Sequence, residues 1–143
     1  MGVFAAAGFL PVLLLALIPT EILQAGIAAL GLNALSITLG LTLLTVVLAL
    51  CGVNPIVTAS VFGSIAAQLA MPGLSNTAIA LAITGGWTSV IGLSPFITTL
   101  VIASTIMGRS TTRIGLVWNG PYCLAILTVW LLFLTGLMMS GLI

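Results

Sequence analysis

The sequence predicts an all-α protein that crosses a membrane several times. Of its 143 residues, 62% are hydrophobic, and the mean hydropathy is +1.47. The charged side chains are one glutamate and two arginines, too few to cover a soluble domain of this length. Long apolar runs without charge complete the pattern, because ~20 helical residues cross a bilayer core of ~30 Å.

The same composition excludes several classes of function. Histidine is absent and Glu21 is the only carboxylate, so the chain can supply neither a metal-ligand cluster nor an acid–base pair. Two arginines do not make a basic patch for nucleic acid. Cys51 and Cys123 fall in or beside apolar segments, where no disulfide framework is expected. We therefore expect neither an enzyme nor a nucleic-acid-binding protein, and no organic cofactor.

The N-terminal part divides at a proline. Residues 3–18 are expected to form a permanent span, because they lack the basic residues that begin a signal peptide. Residues 19–33 are rich in alanine and glycine, which suits an interfacial or connecting segment. Glu21 is expected there as a helix cap or in a first helical turn.

The C-terminal part carries both arginines. They lie in residues 108–120, which are polar enough for a loop, and the last span is expected at residues 121–139. Trp118 and Tyr122 suit an interfacial aromatic belt. The positive-inside rule places the arginine loop in the cytoplasm and the C-terminus outside.

Two apolar stretches in the middle of the chain are interrupted by residues that do not continue a helix. The first interruption is Gly52–Pro55 (GVNP), where Asn54 suits an N-cap and Pro55 the first helical position. The second is Gly92–Pro95 (GLSP), which splits the apolar residues 77–107 into two half-helices. Irregular backbone at membrane depth is tolerated only where it is buried in protein or lines a polar cavity. The pair of breaks therefore indicates a site for a solute or an ion.

Residues 34–71 allow two arrangements. They are either ordinary spans joined by a surface turn at Gly52–Pro55, or a re-entrant hairpin with Asn54 at its tip near mid-membrane. The turn carries no charge, which is unusual for a loop in water, and the next helix has a polar side. These two features favour the hairpin, which places Asn54 roughly 15 Å from either interface.

The order of these segments resembles one repeat of the ion transporter superfamily, which includes divalent-anion/sodium symporters and arsenite-type and citrate-type permeases. Leu48–Ser64 (LALCGVNPIVTASVFGS) is similar to the hairpin tip of that family, and Gly85–Thr99 (GGWTSVIGLSPFITT) to its broken helix. Arg113–Leu131 is similar to the entry to its last span. The resemblance covers residues 34–140 and implies half of an inverted-repeat transporter in the bacterial inner (plasma) membrane.

The chain departs from the family pattern in three ways. The symporters carry Ser-Asn-Thr at the tip, whereas this tip reads Val53-Asn54-Pro55. A Ser75-Asn76-Thr77 sequence does occur, but after Pro72-Gly73, where a helix cap accounts for it. The break also lacks the Asn that follows Pro-Pro in the symporters, so substrate identity does not carry over. One repeat is present where the family has two, which implies the C-terminal half of such a protein, truncated or expressed as a fragment, rather than a half-protein that pairs with another chain. The implied partners are the missing N-terminal repeat and a second copy in a homodimer.

The resemblance and the breaks together predict one binding site. Backbone carbonyls freed at the breaks, with serine and threonine hydroxyls, suit Na⁺, while the N-terminal ends of the half-helices suit an anion. The coupling ion would be Na⁺ or H⁺, and no other metal is expected. The candidate residues are Gly52, Val53, Asn54, Pro55, Thr88, Gly92, Ser94, Pro95 and Thr98.

The leading hypothesis is therefore the transport half of a cation-coupled carrier for a small anion or organic acid. The alternative is a small structural or accessory membrane protein, in which glycine and proline serve packing alone. A membrane-embedded enzyme is the weakest hypothesis, because Cys51 is its only candidate nucleophile and has no basic partner.

Overall fold

The computed structural model of the chain describes residues 9, 12, 13, 16, 17, 19–66, 68, 69 and 71–143. The secondary structure of these residues is helical, without strands, which confirms the all-α prediction. The predicted first span, residues 3–18, lies largely outside the described residues. The elements are α1 (Thr20–Ala29), α2 (Ala34–Leu50), α3 (Pro55–Ala66), α4 (Asn76–Val90), α5 (Thr98–Met107), a π-helical segment (Arg113–Trp118) and α6 (Gly120–Met139).

Among the described helices, α6 alone is long and apolar enough to cross a membrane by itself. It has 20 residues and a mean hydropathy of 2.1, and it coincides with the predicted last span. Helices α1 and α2 reach the required length only together, and they are bent by 105° at the break between them. Helices α3 and α5 are apolar but shorter.

Local side-chain chemistry sets the starts of three helices. Glu21 lies in the first turn of α1, as expected. Asn33 and Ser36 form a capping box at α2, because each side chain accepts a hydrogen bond from the other's backbone amide at 2.8 Å. The Ser75 hydroxyl accepts from the Ala78 amide at 3.0 Å and caps α4. The cap interpretation of Ser75 is thus confirmed.

Helices α2 and α4 form the centre of the fold and run in the same direction. The Thr42 hydroxyl of α2 donates to the Ala82 carbonyl of α4 at 3.0 Å. One turn further along, Gly86 lies so close to α2 that a Cβ there would stand 2.8 Å from the Thr42 carbonyl oxygen. Small residues permit such close approach of helix backbones. A core that includes Val46 and Val90 extends this contact to the ends of both helices.

Helices α3 and α6 pack on α4 in the opposite direction. Ala66 of α3 lies in a second core with Ile79 and Ile83 of α4. The Trp130 indole of α6 donates to the Leu81 carbonyl at 3.3 Å, and its ring covers Gly85.

These helix directions define two ends of the fold. The cap end holds residues 33, 72–75 and 138–139. The tip end holds residues 51–55, 91–97 and 119–123.

The expected loop at residues 108–120 is largely helical, which corrects that part of the sequence interpretation. Gly108 ends α5 in the left-handed conformation (φ 60°), and helical structure resumes at Thr111. Polar composition indicated a loop in water, but Ile114 and Gly115 are buried. Packing against the helix break, described below, accounts for this difference.

Candidate binding cavity at the helix breaks

One buried hydroxyl joins the two breaks. Helix α4 ends at Val90 and α5 begins at Thr98, so residues 91–97 are non-helical. Within this stretch Ser94 is 0% exposed, and its hydroxyl donates to the Ala49 carbonyl in the last turn of α2 at 2.7 Å. The bond spans 45 positions of the chain. It holds the unwound segment against the start of the Gly52–Pro55 turn.

The turn itself is a Schellman motif that requires a glycine. Gly52 has φ +91°, a conformation that side-chain-bearing residues rarely adopt. Its amide donates to the Ala49 carbonyl at 3.1 Å, and the Val53 amide donates to the Leu48 carbonyl at 2.9 Å. A Cβ on Gly52 would stand 3.5 Å from the Phe96 ring. The turn and the unwound segment are therefore in contact at this point as well.

Asn54 starts helix α3, as its sequence position predicts. Its Oδ1 accepts from the Ile56 amide at 2.9 Å, and Pro55 occupies the first helical position. Asn54 is exposed, so its side-chain amide nitrogen can donate to a solute. The α3 N-terminus adds the partial positive charge of the helix dipole to the same place, although Pro55 has no N–H and the Ile56 amide is already bonded to Asn54.

A cavity of about 190 Å³ lies between the two breaks. Its wall combines the GVNP turn, the unwound segment and one face of the last turns of α4. The residues that line it are Ala49, Gly52, Val53, Asn54, Pro55, Ile56, Trp87, Ile91, Ser94, Phe96, Ile97 and Thr98. The lining carries no formal charge, so its polar groups are backbone dipoles, the Ser94 and Thr98 hydroxyls, the Asn54 side-chain amide and the Trp87 indole N–H.

Six of the nine candidate residues line this cavity, and three do not. Thr88 is exposed and donates to the Thr84 carbonyl of its own helix at 2.8 Å. Gly92 lies on a different cavity, beside α5 and the π-helical segment, and its carbonyl accepts from the Asn119 side chain at 3.1 Å. Pro95 is half-buried outside the lining.

Sequence reasoning missed Trp87 and Phe96. Trp87 lies in the last turn of α4, directly before the break, and this position was the available signal. Phe96 has no comparable signal, because its position depends on the path of the unwound chain. Asn119 was also missed, although it is a polar residue immediately before the Gly-Pro that opens the last span.

Comparisons of the chain with protein-family models, with curated proteins and with solved structures return no match. The resemblance to the ion transporter superfamily therefore stays an expectation from the sequence. Conclusions about function depend on the geometry of the cavity.

Proposed function

We propose that the chain is half of a secondary active transporter that carries a small anion or organic acid across the inner membrane, coupled to Na⁺ or H⁺. The observation that carries the proposal is the Ser94–Ala49 hydrogen bond, because it brings two helix breaks to one uncharged cavity. Secondary transporters hold solutes between half-helix ends of this kind. The second repeat and a second copy of the chain are the proposed partners, together with the lipid bilayer.

The length of α5 supports a re-entrant hairpin whose tip lies below the membrane surface. From the break, the ten residues of α5 carry the chain about 15 Å to the turn at Arg109. In the other direction, the 15 residues of α4 extend about 22 Å to the cap end. With Arg109 at one interface, the breaks would lie about 15 Å inside the core, and α6, whose 20 residues begin beside the breaks, would carry the cap end about 30 Å further, past the far edge of a core of ~30 Å. The hairpin α2–α3 would enter from the cap end.

The charges favour a cytoplasmic position for the arginine end. Arg109 and Arg113 are both exposed, and Trp118, at the other end of the π-helical segment, is 46% exposed. Cytoplasmic segments are enriched in Arg and Lys, and tryptophan is enriched at the interface. Under this orientation α6 runs outward and the C-terminus lies outside.

The cavity offers different groups to the two proposed ligands. A cation would be bound by backbone carbonyl oxygens of the Gly52–Val53 turn and by the hydroxyls of Ser94 and Thr98. An anion would accept hydrogen bonds from the Asn54 side-chain amide and from the first backbone amides of α5, because Pro55 at the start of α3 has no N–H and the Ile56 amide donates to Asn54 Oδ1. Because no basic side chain lines the cavity, the cation itself would supply the formal charge that balances the anion.

We expect Asn54→Ala to reduce solute uptake at least about tenfold, because it removes the side-chain amide that donates into the cavity. The substitution also removes the N-cap of α3, which contributes ~1 kcal/mol to helix stability. Uptake of labelled succinate, citrate and sulfate is measured with and without a Na⁺ gradient, in vesicles from cells that produce the chain in its native assembly. Asn33→Ala is the matched control, since it removes the cap of α2 at the opposite end. Equal uptake by the two variants would favour the structural or accessory role.

The hairpin predicts limited access to a cysteine at position 54. With Cys51 replaced by serine, Asn54→Cys should react slowly with a membrane-impermeant thiol reagent from the cytoplasmic side in sealed vesicles. Thr112→Cys, exposed at the arginine end, serves as the fast-reacting control. Equally fast labelling at both positions from that side would show a surface turn and contradict the hairpin.

A further inference from the structure

Asn119 lies where the last helix changes its hydrogen-bond register. Its backbone amide donates to the Ile114 carbonyl at 3.0 Å, the five-residue spacing of a π-helix. Its carbonyl accepts from the Cys123 amide at 2.8 Å, the four-residue spacing of an α-helix. Its side-chain nitrogen donates to the Gly92 carbonyl in the helix break at 3.1 Å. A single residue thus connects the final helix to the unwound segment.

Two further contacts bring the same surfaces together. Gly115 is buried so tightly that a Cβ there would collide with the Leu93 carbonyl oxygen. A Cβ on Gly92 would stand 3.2 Å from the Cys123 sulfur. The π-helical segment and the first turn of α6 therefore pack directly on the backbone of residues 92–93.

The π register sets the direction of the segment that precedes Asn119. Changing this segment to α-helical register would shift its residues by one position, which is a rotation of about 100° around the helix axis. Gly115 and Asn119, four residues apart, share a face in either register, so the π turn sets the direction of that face relative to α6. π-Helical turns are rare, and they occur often at functional sites.

We propose that Asn119 is a positioning residue that couples the final helix to the cavity at the helix breaks. By holding the Gly92 carbonyl, it fixes the turn in which the Ser94 amide bonds to the Val90 carbonyl at 3.0 Å and the Ser94 hydroxyl reaches Ala49. Without this contact the turn can move, and the cavity wall at Ala49 becomes accessible to solvent. The functional meaning of this coupling rests on the proposed transport function, in which movement of the last helix would regulate the site.

The test uses two buried alanines as reporters in the purified full chain. Ala49, which is 1% exposed and bonded to the Ser94 hydroxyl, is replaced in one reporter by Ala49→Cys. Ala66, which is 2% exposed and lies in the second core, is replaced in the other by Ala66→Cys. In a Cys51→Ser background, the rate of modification by a small thiol reagent is measured for each reporter, with the modified residue located by mass spectrometry. Neither measurement needs a transported solute. The result therefore tests the role of Asn119 independently of the transport hypothesis, which the uptake experiments test.

Asn119→Asp keeps the shape of the side chain and removes its amide donor. We expect it to raise the modification rate at position 49 about fivefold to tenfold, the factor for one lost hydrogen bond, and to leave position 66 unchanged. Asn119→Gln, which keeps the donor, should give an intermediate rate. Asn76→Asp is the control at an exposed first-turn position of α4 and should change neither rate. An unchanged rate at position 49, or equal increases at 49 and 66, would overturn the proposal.

Discussion

Solute uptake is expected to fall to below about a tenth when Ser94 is replaced by alanine. The substitution removes the hydroxyl that donates to Ala49 at 2.7 Å, so the unwound segment loses its direct bond to the end of α2. Hydrogen bonds between helices are worth ~1 kcal/mol, which predicts a modest loss of unfolding free energy. Uptake should suffer more than stability, because the cavity depends on the relative position of the two breaks. Thermal unfolding in detergent and vesicle uptake measure the two effects.

Ser104→Ala is the control for this substitution. Ser104 is half-buried, and its hydroxyl donates to the Val101 carbonyl within its own helix at 2.7 Å, in a hydrogen bond that is exposed. Its removal should leave both uptake and thermal stability unchanged. Normal uptake by the Ser94→Ala protein would mean that the cavity is not the transport site.

The largest loss of stability is expected for Gly86→Ala. The new Cβ would stand 2.8 Å from both the Thr42 carbonyl oxygen and the Thr45 Cβ, and a backbone atom cannot rotate away. Helices α2 and α4 would have to separate, which weakens the Thr42–Ala82 hydrogen bond and the core around Val46. Overpacking of this kind costs about 1–3 kcal/mol. We expect a lower unfolding temperature in detergent and poor recovery of folded protein.

Gly40→Ala is the matched control for Gly86→Ala. Gly40 lies inside α2, and a Cβ there meets nothing within 4 Å. Both substitutions improve helix propensity by roughly the same amount, up to about 1 kcal/mol, so they differ in packing alone. Gly40→Ala should therefore raise the unfolding temperature slightly. Similar unfolding temperatures for the two variants would contradict the close packing of α2 and α4.

Helix ends were predictable from the sequence because their chemistry is local. Asn54-Pro55 starts α3, Ser75 caps α4, and Gly92–Pro95 lies in the non-helical stretch between α4 and α5. Each of these features depends on residues within one turn of one another. The start of α6 beside Pro121 follows the same logic.

The composition of the cavity was predictable only in part. By residue type, Thr88 and Thr98 were equally good candidates for a binding hydroxyl. Thr98 lines the cavity, whereas the Thr88 hydroxyl donates to its own helix and the neighbouring Trp87 lines the cavity instead. Gly92 was expected as a source of free carbonyl oxygen, yet Asn119 occupies that oxygen from 27 positions away. Both outcomes depend on how one helix is rotated against another.

By itself, the sequence determined that the chain is helical, that its last helix is apolar enough to cross a membrane, and where the helices are interrupted. Hydropathy, proline and glycine act through the chain's own backbone and its immediate neighbours, so a linear pattern contains this information. Only the tertiary structure decided that both breaks meet at one cavity, that residues 113–118 adopt π register, and that Asn119 reaches Gly92. Those features arise from contacts between segments 27 to 45 positions apart, where side-chain direction follows from helix rotation and packing.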